Sequence, residues 1–209
     1  RSLSACEGSL LIVDSTQGVE AQTLANVYQA LEINHEVIPI LNKIDLPASD
    51  IEKTKKEIED VVGIDTSNAI SCSGKTGEGI ENILEAIINN LPSPKGAQDK
   101  KLKSLLVDSW YDSYLGVVIL VRVIDGKIKK NMKVRLMSNS EEYIIEKVGV
   151  FTPKPTDIAE LNSGEIGFII TGIKSLSETK VGDTICDAND SINTPLPGFK
   201  PSKPVVFCG

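Results

Sequence analysis

The sequence predicts an α/β domain with a parallel sheet, followed by an all-β barrel domain. In the first half, continuous apolar runs of strand length at residues 9–14 and 37–41 alternate with stretches of helical periodicity. Beyond residue 103 the pattern changes to short segments rich in Val and Ile, which is typical of antiparallel strands. Between the two, residues 92–99 carry two prolines and a glycine without apolar periodicity, which indicates a linker.

Strand and helix alternate three times in the first half. Residues 1–8 have the pattern of a helix already under way, and Ser49 or Asp50 is a suitable cap for a later helix. Ligands of parallel α/β sheets bind at the carboxyl ends of the strands, which is where we expect a site. The predicted elements are a strand at 9–14, a helix at 18–32, a strand at 37–41, a helix at 50–62, a short strand at 69–72 and a helix at 78–91.

Short strands at regular spacing in the second half predict a closed antiparallel barrel. Asp125 and Gly126 lie between apolar runs, which predicts a hairpin turn. Four prolines between residues 195 and 204 predict an extended connector. The predicted strands cover 104–108, 116–123, 133–137, 143–150 and 166–170, and the predicted domains are 1–91, a linker at 92–103, the barrel at 104–194 and a connector at 195–209 toward a further domain.

An N-K-x-D box, Asn42 to Asp45, follows the apolar run 37–41. A carboxylate at its fourth position can accept hydrogen bonds from both the ring N–H and the exocyclic amine of guanine, whereas adenine leaves that carboxylate unpaired. The stem of Lys43 can lie across the base, and the Asn42 amide can join neighbouring loops. The alternative is an ordinary polar turn after a strand, since Asn and Asp are common turn formers.

The next predicted strand-to-helix turn carries Ser73, Gly74 and Lys75. Guanine-binding proteins usually have S-A-K here, where a backbone N–H meets the guanine O6 and the serine braces the base-reading aspartate. Gly74 in the middle position keeps the N–H and adds backbone freedom, so we expect weaker preorganisation with recognition retained. The candidate site is therefore Asn42, Lys43, Asp45, Ser73, Gly74 and Lys75.

Charge is divided unevenly along the 209 residues, whose net charge is −7. Residues 1–99 have 7 Lys and Arg against 16 Asp and Glu, and residues 100–209 have 15 against 13. The basic residues of the second half form either a stripe for nucleic-acid phosphates or a solvated hairpin face. They are Lys100, Lys101, Lys103, Lys127, Lys129, Lys130, Lys133 and Arg135. The four cysteines lack C-x-x-C spacing, which favours reduced, partly buried thiols over a zinc site.

Several strings resemble the translational GTPases, and in particular those of the LepA type, which promote back-translocation. The strings are A-C-E-G at 5–8, D-S-W-Y-D-S-Y-L-G-V at 108–117, G-V-F-T-P at 149–153 and P-L-P-G-F at 195–199, together with the box at 42–45. The resemblance implies a P-loop GTPase-type domain and a translation-factor barrel that contacts the small ribosomal subunit. It also implies GTP and GDP as ligands with Mg²⁺, and the ribosome (its RNA and proteins) with its tRNA-bound elongation complex as partner. Peripheral membrane association would be compatible with it, and DNA is not an expected partner.

The sequence departs from that family in what it lacks. It has no phosphate-binding loop, no switch threonine for Mg²⁺ and no D-x-x-G segment followed by a catalytic histidine. Phosphoryl transfer needs those parts, so we expect an internal fragment that is inactive alone, with no catalytic or metal-binding residue of its own. The alternative is a non-hydrolysing ribosome- or RNA-binding module with a degenerate GTPase domain. In a fragment without the family's upstream strands, the strand at 9–14 would lack partners and leave a sheet edge exposed, which predicts aggregation or dimerisation.

Localisation follows only from the resemblance and the absence of a secretion signal. No apolar signal core begins the chain, and no apolar stretch reaches membrane-spanning length. We expect bacterial cytoplasm, with possible membrane association, or the matrix side of a mitochondrion or plastid.

A few residues have two interpretations. His35 is expected in a surface turn, without a catalytic role. Asp14 is expected to cap the turn after its strand. Trp110, Tyr111 and Tyr114 either stack on RNA bases or pack at the barrel rim, and packing is the default.

Overall fold

The computed structural model describes residues 3–190 and 194–197. The chain divides into two compact units, one comprising Cys6–Ser93 and the other Arg1–Ala5 with Pro94–Gly209. Cys208 and all but residues 195–197 of the predicted connector 195–209 lie outside the described residues.

The first unit is a three-stranded parallel sheet with helices on both faces. The strand order is β1-β2-β3, and both pairings are parallel. This confirms the predicted alternation of strand and helix. The elements are β1 (Gly8–Asp14), α1 (Ala21–Glu32), β2 (Glu36–Asn42), α2 (Ile51–Glu57), β3 (Ile70–Ser71) and α3 (Ile80–Asn90).

Each face of this sheet has its own apolar core. Leu11, Val13 and Leu41 pack with Val27 of α1 and with Ile58 beyond α2. On the opposite face, Ile38 and Ile40 pack with Cys72 and with the inner side of α3. The central strand β2 is consequently buried from both sides, which explains its continuous apolar run.

Three boundaries in this unit differ from the prediction. The first helix begins at Ala21 because Gly18 has φ +79° and Glu20 is still extended. After α2 the chain makes a π turn over Ile58–Val62, closed by the Gly63 amide, which donates to the Ile58 carbonyl at 3.2 Å. The expected helix over residues 1–8 is wrong, since the described residues before β1 form a 3-10 turn at Leu3–Ala5 and no longer helix.

The second unit is almost entirely β. Its main sheet has the order β10-β9-β12-β5-β4-β13-β7-β8, and β11 and β6 form a separate antiparallel pair. The strands are β4 (Lys103–Asp112), β5 (Gly116–Asp125), β6 (Lys127–Lys129), β7 (Lys133–Leu136), β8 (Glu142–Ile144), β9 (Lys147–Phe151), β10 (Pro155–Asp157), β11 (Glu160–Asn162), β12 (Ile166–Ile170) and β13 (Thr184–Asp187).

One large apolar core lies inside these strands. It contains fully buried side chains from both sheets, including Ile119, Ile128, Leu161 and Ile169. Among the described residues, the hydrogen bonds give an open order with β10 and β8 at its ends. The β-rich layout is therefore as expected, whereas closure into a barrel is not traced by strand pairing.

Two strand predictions are wrong because neighbouring segments pair with different partners. The predicted hairpin at Asp125 and Gly126 does not form: β5 pairs with β4 and β12, while β6 pairs with β11. The predicted strand 143–150 is two strands, because Ile145 donates to Met132 and the next amide, Glu146, donates to Ile170. The sequence analysis also missed β6, β10, β11 and β13, of which all but β13 have only three residues.

The segments flanking the second unit pack onto the outer face of its sheet. Ala5 and Leu196 form a small apolar cluster with Leu105 and Val107. The amide of Leu196 donates to Thr184 Oγ1 at 2.8 Å. The described start of the connector is thus held against the strands.

Candidate functional site

The carboxyl ends of the three parallel strands bring the two candidate segments together. Asp14, the last residue of β1, lies opposite Asn42, the last residue of β2. Leu41 lies opposite Ser71, so the chain leaving β3 reaches Ser73 at the same edge. The two candidate segments, 31 positions apart in sequence, therefore form one site.

Asn42 joins the two segments through one oxygen. Its Oδ1 accepts hydrogen bonds from the Lys43 amide at 2.8 Å and the Gly74 amide at 3.1 Å, and lies 3.7 Å from the Cys72 thiol donor. Two of these donors belong to the Ser73 segment or its flank. The Asn42 side chain is thereby fixed in orientation, as expected of a residue that joins neighbouring loops.

Asp45 is braced by a buried serine. Ser73 Oγ donates to Asp45 Oδ1 at 2.7 Å and accepts from the Thr76 amide at 3.1 Å. Ser73 is fully buried, and its own amide donates to the Glu78 carbonyl. Within residues 3–190 and 194–197, no hydrogen bond reaches the other Asp45 oxygen, Oδ2. That oxygen can accept from a ligand.

Lys43 is held by a partner that the sequence analysis did not assign. Its Nζ lies 2.6 Å from Asp14 Oδ2, and its backbone has φ +68°. Asp14 Oδ1 meanwhile accepts from the amide and hydroxyl of Thr16, which confirms the predicted turn cap. The adjacent Lys43 ammonium, together with Thr16, lowers the pKa of Asp14 to about 2, and Asp14 raises the pKa of Lys43. The clue in the sequence was that Asp14 ends one parallel strand and Lys43 directly follows the end of its neighbour.

A cleft of about 300 Å³ lies beside these residues. That volume is at the lower end of the range for small-molecule pockets. Leu46, which is 38% exposed, adds an apolar wall that the sequence analysis missed. Five of the six predicted site residues line the cleft together with Leu46, and Ser73 does not: the five are Asn42, Lys43, Asp45, Gly74 and Lys75.

The expected surface position of His35 is wrong. His35 is only 8% exposed, and its Nδ1 lies 2.8 Å from Ser9 Oγ on β1. The turn that precedes it, with Asn34 at φ +58°, directs the ring back onto the sheet. Its contacts are those of a residue that joins β1 to the end of α1.

The cysteines behave as separate thiols in the described part of the chain. Cys72 and Cys186 are buried and Cys6 is exposed, and all three are free. Burial raises the pKa of the Cys72 thiol. Cys72 therefore remains a neutral hydrogen-bond donor beside Asn42.

The basic stripe of the second unit is largely paired with its own acids. This pairing favours the solvated-face interpretation of the stripe over a row of free phosphate contacts. The ion pairs are Lys129 Nζ with Glu160 at 3.2 Å, Lys127 with the same carboxylate at 4.0 Å, and Lys133 with Glu142 at 2.5 Å. Arg135 donates a hydrogen bond to the backbone carbonyl of Asp190 at 3.2 Å.

Metal-binding clusters and membrane-spanning helices are both absent from the described residues. No group of three or more His, Cys, Asp or Glu side chains there is arranged to hold a metal ion. No helix there combines the length and the apolar character that crossing a bilayer requires.

Comparison with protein families gives two adjacent matches. Residues 1–93 match the family model described as the elongation factor Tu GTP binding domain. Residues 116–186 match the model described as elongation factor Tu domain 2. The first match contains the whole candidate site, and the second covers most of the β-rich unit. The chain therefore belongs to the translational GTPases.

Proposed function

We propose that Asn42, Lys43, Asp45, Ser73, Gly74 and Lys75 are the guanine-reading part of a ribosome-associated GTPase. The observation that carries the proposal is the Ser73–Asp45 hydrogen bond of 2.7 Å, which fixes one carboxylate oxygen and leaves the other to accept from a ligand. Guanine offers two adjacent donors to such a carboxylate, and adenine does not. The match of residues 1–93 to a GTP-binding domain supports GTP and GDP as the ligands.

The structure changes which amide we assign to the guanine O6. The Gly74 N–H already donates to Asn42 Oδ1. The Lys75 N–H has no hydrogen-bond partner in the described part of the chain, and Lys75 lines the cleft. We therefore assign the O6 contact to Lys75 N–H, with Gly74 serving to connect its loop to Asn42.

Hydrolysis, in this proposal, needs a polypeptide that joins these loops to a phosphate-binding loop and Mg²⁺. The metal and a positioned water supply the electrostatic stabilisation of phosphoryl transfer. The residues of this chain select the guanine base and fix the orientation of its ring. The β-rich unit, by its likeness to the second domain of elongation factors, contacts the ribosome.

We further propose that the protein is of the LepA type and acts in back-translocation or elongation fidelity. The strings at 108–117 and 149–153 support this finer assignment. The test is a toeprint of post-translocation ribosomes with the complete protein and GTP. Backward movement of the ribosome by one codon is expected, and an unchanged position would contradict the LepA assignment while leaving the GTPase assignment intact.

The direct test of base recognition is calorimetry with GDP and with xanthosine diphosphate on this chain and its Asp45→Asn variant. Replacing the carboxylate with an amide should weaken GDP binding at least about tenfold and favour xanthosine diphosphate, whose ring accepts where guanine donates. Asp60→Asn is a matched control, because Asp60 is an exposed acid outside the cleft. Equal effects of the two variants would contradict the proposed role of Asp45.

The alternative function is a binding module that does not hydrolyse GTP. Ribosome-stimulated release of phosphate from GTP by the complete protein separates the two. Hydrolysis supports the GTPase, whereas ribosome binding without hydrolysis would favour the binding module.

A further inference from the structure

The hairpin that joins β4 and β5 presents two tyrosines to solvent. Tyr111 is 62% exposed and Tyr114 is 90% exposed, the largest value among the exposed large hydrophobic side chains of the described residues. Isolated exposed apolar residues are ordinary, but two aromatic rings at one hairpin tip indicate a contact surface. The default interpretation, packing at the barrel rim, does not fit either ring.

The backbone beneath these rings is fixed. Asp112 Oδ1 accepts from the amides of Tyr114 and Leu115, both at 2.8 Å, and these bonds lower the pKa of Asp112. Gly116 closes the tip with φ +78°. Leu115 packs against Val118 at the base of the hairpin. Binding to a partner therefore orders little additional chain, which favours affinity.

Trp110, in contrast, belongs to the packing of the sheet. Its ring centroid lies 6.0 Å from that of Phe151, which in turn lies 5.0 Å from that of Phe168. It also contacts the buried cluster that contains Val118. Trp110 thus supports the base of the hairpin and leaves the two tyrosines as the accessible rings.

Exposed lysines follow the segments that pack beside the hairpin. Ile170, the last residue of β12, pairs with Val118, and Lys174 comes four residues later. Lys180 follows Thr179, whose hydroxyl lies 2.8 Å from Ser109 Oγ on β4. Neither lysine has an ion-pair partner among residues 3–190 and 194–197, unlike most lysines of the basic stripe.

The hairpin thus presents two exposed rings, and the segments that contact its strands continue into lysines without ion-pair partners in the described residues. This combination fits single-stranded nucleic acid. Bases of any sequence stack on aromatic faces, and the phosphates that connect them are drawn to unpaired lysines. Flipped-out bases in RNA loops are commonly bound in this way. An acidic protein segment would use the lysines but gain less from two solvent-facing rings.

We propose that Tyr111 and Tyr114 form a stacking platform for unpaired nucleotides of ribosomal RNA, with Lys174 and Lys180 meeting the adjacent phosphates. This inference rests on the proposed ribosome-associated function and names the surface through which the second unit makes contact.

The test measures binding of the 209-residue chain to purified small ribosomal subunits by co-sedimentation, and to protein-free RNA from those subunits by filter binding. Tyr111→Ala and Tyr114→Ala should each weaken both interactions about tenfold, because each removes one stacked ring. Tyr114→Phe keeps the ring and should bind like the unaltered chain. Tyr28→Ala removes a 47% exposed tyrosine from the other unit and should also have no effect.

A second pair of variants, Lys174→Gln and Lys180→Gln, tests the phosphate contacts. Each should weaken binding to the subunits and to the RNA and reduce the dependence of that binding on salt. Failure of the unaltered chain to bind subunits would overturn the ribosome-associated function together with this inference. Binding that is insensitive to both tyrosine substitutions would overturn the inference alone. An effect seen on intact subunits but lost on protein-free RNA would identify a ribosomal protein as the partner and would also overturn it.

Discussion

At the residue scale, the candidate site is organised by short side chains whose oxygens accept from neighbouring backbone. Asn42 accepts an amide hydrogen bond from Gly74 of the other segment, Ser73 accepts one from Thr76 of its own loop, and Ser73 donates to Asp45. Such bonds hold a loop without requiring long side chains to lose rotamer freedom. The Asp45 carboxylate is therefore positioned before any ligand binds.

Gly74 does not adopt a backbone conformation that requires glycine. A Cβ placed there would meet Asn42 Oδ1 at 3.8 Å, an ordinary contact. Gly74→Ala is therefore expected to stabilise the chain by about 0.4–1 kcal/mol, by reducing the entropy of the unfolded state. Urea unfolding followed by circular dichroism measures this change.

Gly79 provides the matched control for Gly74. It has φ +75°, and a Cβ there would lie 2.2 Å from the Ser71 carbonyl oxygen. Gly79→Ala should accordingly destabilise the chain. A loss of stability in Gly74→Ala similar to that in Gly79→Ala would show that the loop needs glycine at both positions.

The Asp14–Lys43 pair predicts a specific dependence of stability on acid. The folded pKa of Asp14 is about 2, against an ordinary value of 3.8, so the folded state binds this proton less tightly than the unfolded state. The resulting stabilisation is present above about pH 4 and is lost as the pH falls toward 2. For Lys43 the folded pKa is raised, so its contribution is present below its ordinary value of 10.5 and is lost as the pH rises beyond it.

Asp14→Asn should therefore flatten the fall in unfolding free energy between about pH 4 and pH 2. Lys43→Met should flatten much of the same region, since its ammonium is the largest cause of the shift. Urea denaturation at a series of pH values checks both variants. An unchanged acid profile in Asp14→Asn would show that other carboxylates account for the acid sensitivity.

At the element scale, the first unit was predictable because its elements are continuous and regular. The run 37–41 is apolar throughout and is buried on both faces, which leaves one assignment. The strands β10 and β11 have three residues each, too few for periodicity to show. The N-K-x-D box was recognisable as local sequence, whereas the Asp14–Lys43 contact depends on strand register.

Helix α2 has a cap that its sequence predicted. Asp50 Oδ1 accepts from the Lys53 amide at 3.0 Å. Because α2 has only seven residues, Asp50→Ala should cost about 1 kcal/mol of stability. Glu20, at the start of α1, makes no side-chain capping bond, so Glu20→Ala is the control and should be nearly neutral. Equal unfolding free energies for the two variants, from urea titrations, would contradict the capping role.

At the scale of the whole molecule, charge and apolar surface are distributed differently in the two units. The first unit lies in the acidic half of the sequence, and exposed apolar side chains occur on its strand β1 and helix α3. The second unit has its main apolar core inside the strands, and its exposed apolar side chains include Tyr111 and Tyr114 at the β4–β5 hairpin. Self-association of the chain is expected to begin on the first unit, because an apolar side chain is exposed on β1, which lies at a sheet edge in the described residues.

Strand β1 is the surface on which we expect that association. In the described part of the chain β1 pairs only with β2, so its other edge has unpaired backbone groups. Ile12 on this strand is 55% exposed, and Ile88 on α3 is 74% exposed. An apolar, unpaired strand edge is a template for pairing with a second chain, so light scattering of the chain should detect dimers or larger species.

A charge on the exposed face of such a strand opposes that pairing, so Ile12→Lys should lower the apparent mass. Leu176→Lys, at a 41% exposed site outside the strands, should leave it unchanged. A monodisperse monomer at all concentrations of the unaltered chain would refute association through β1, and an equal response to both lysine variants would place the association elsewhere.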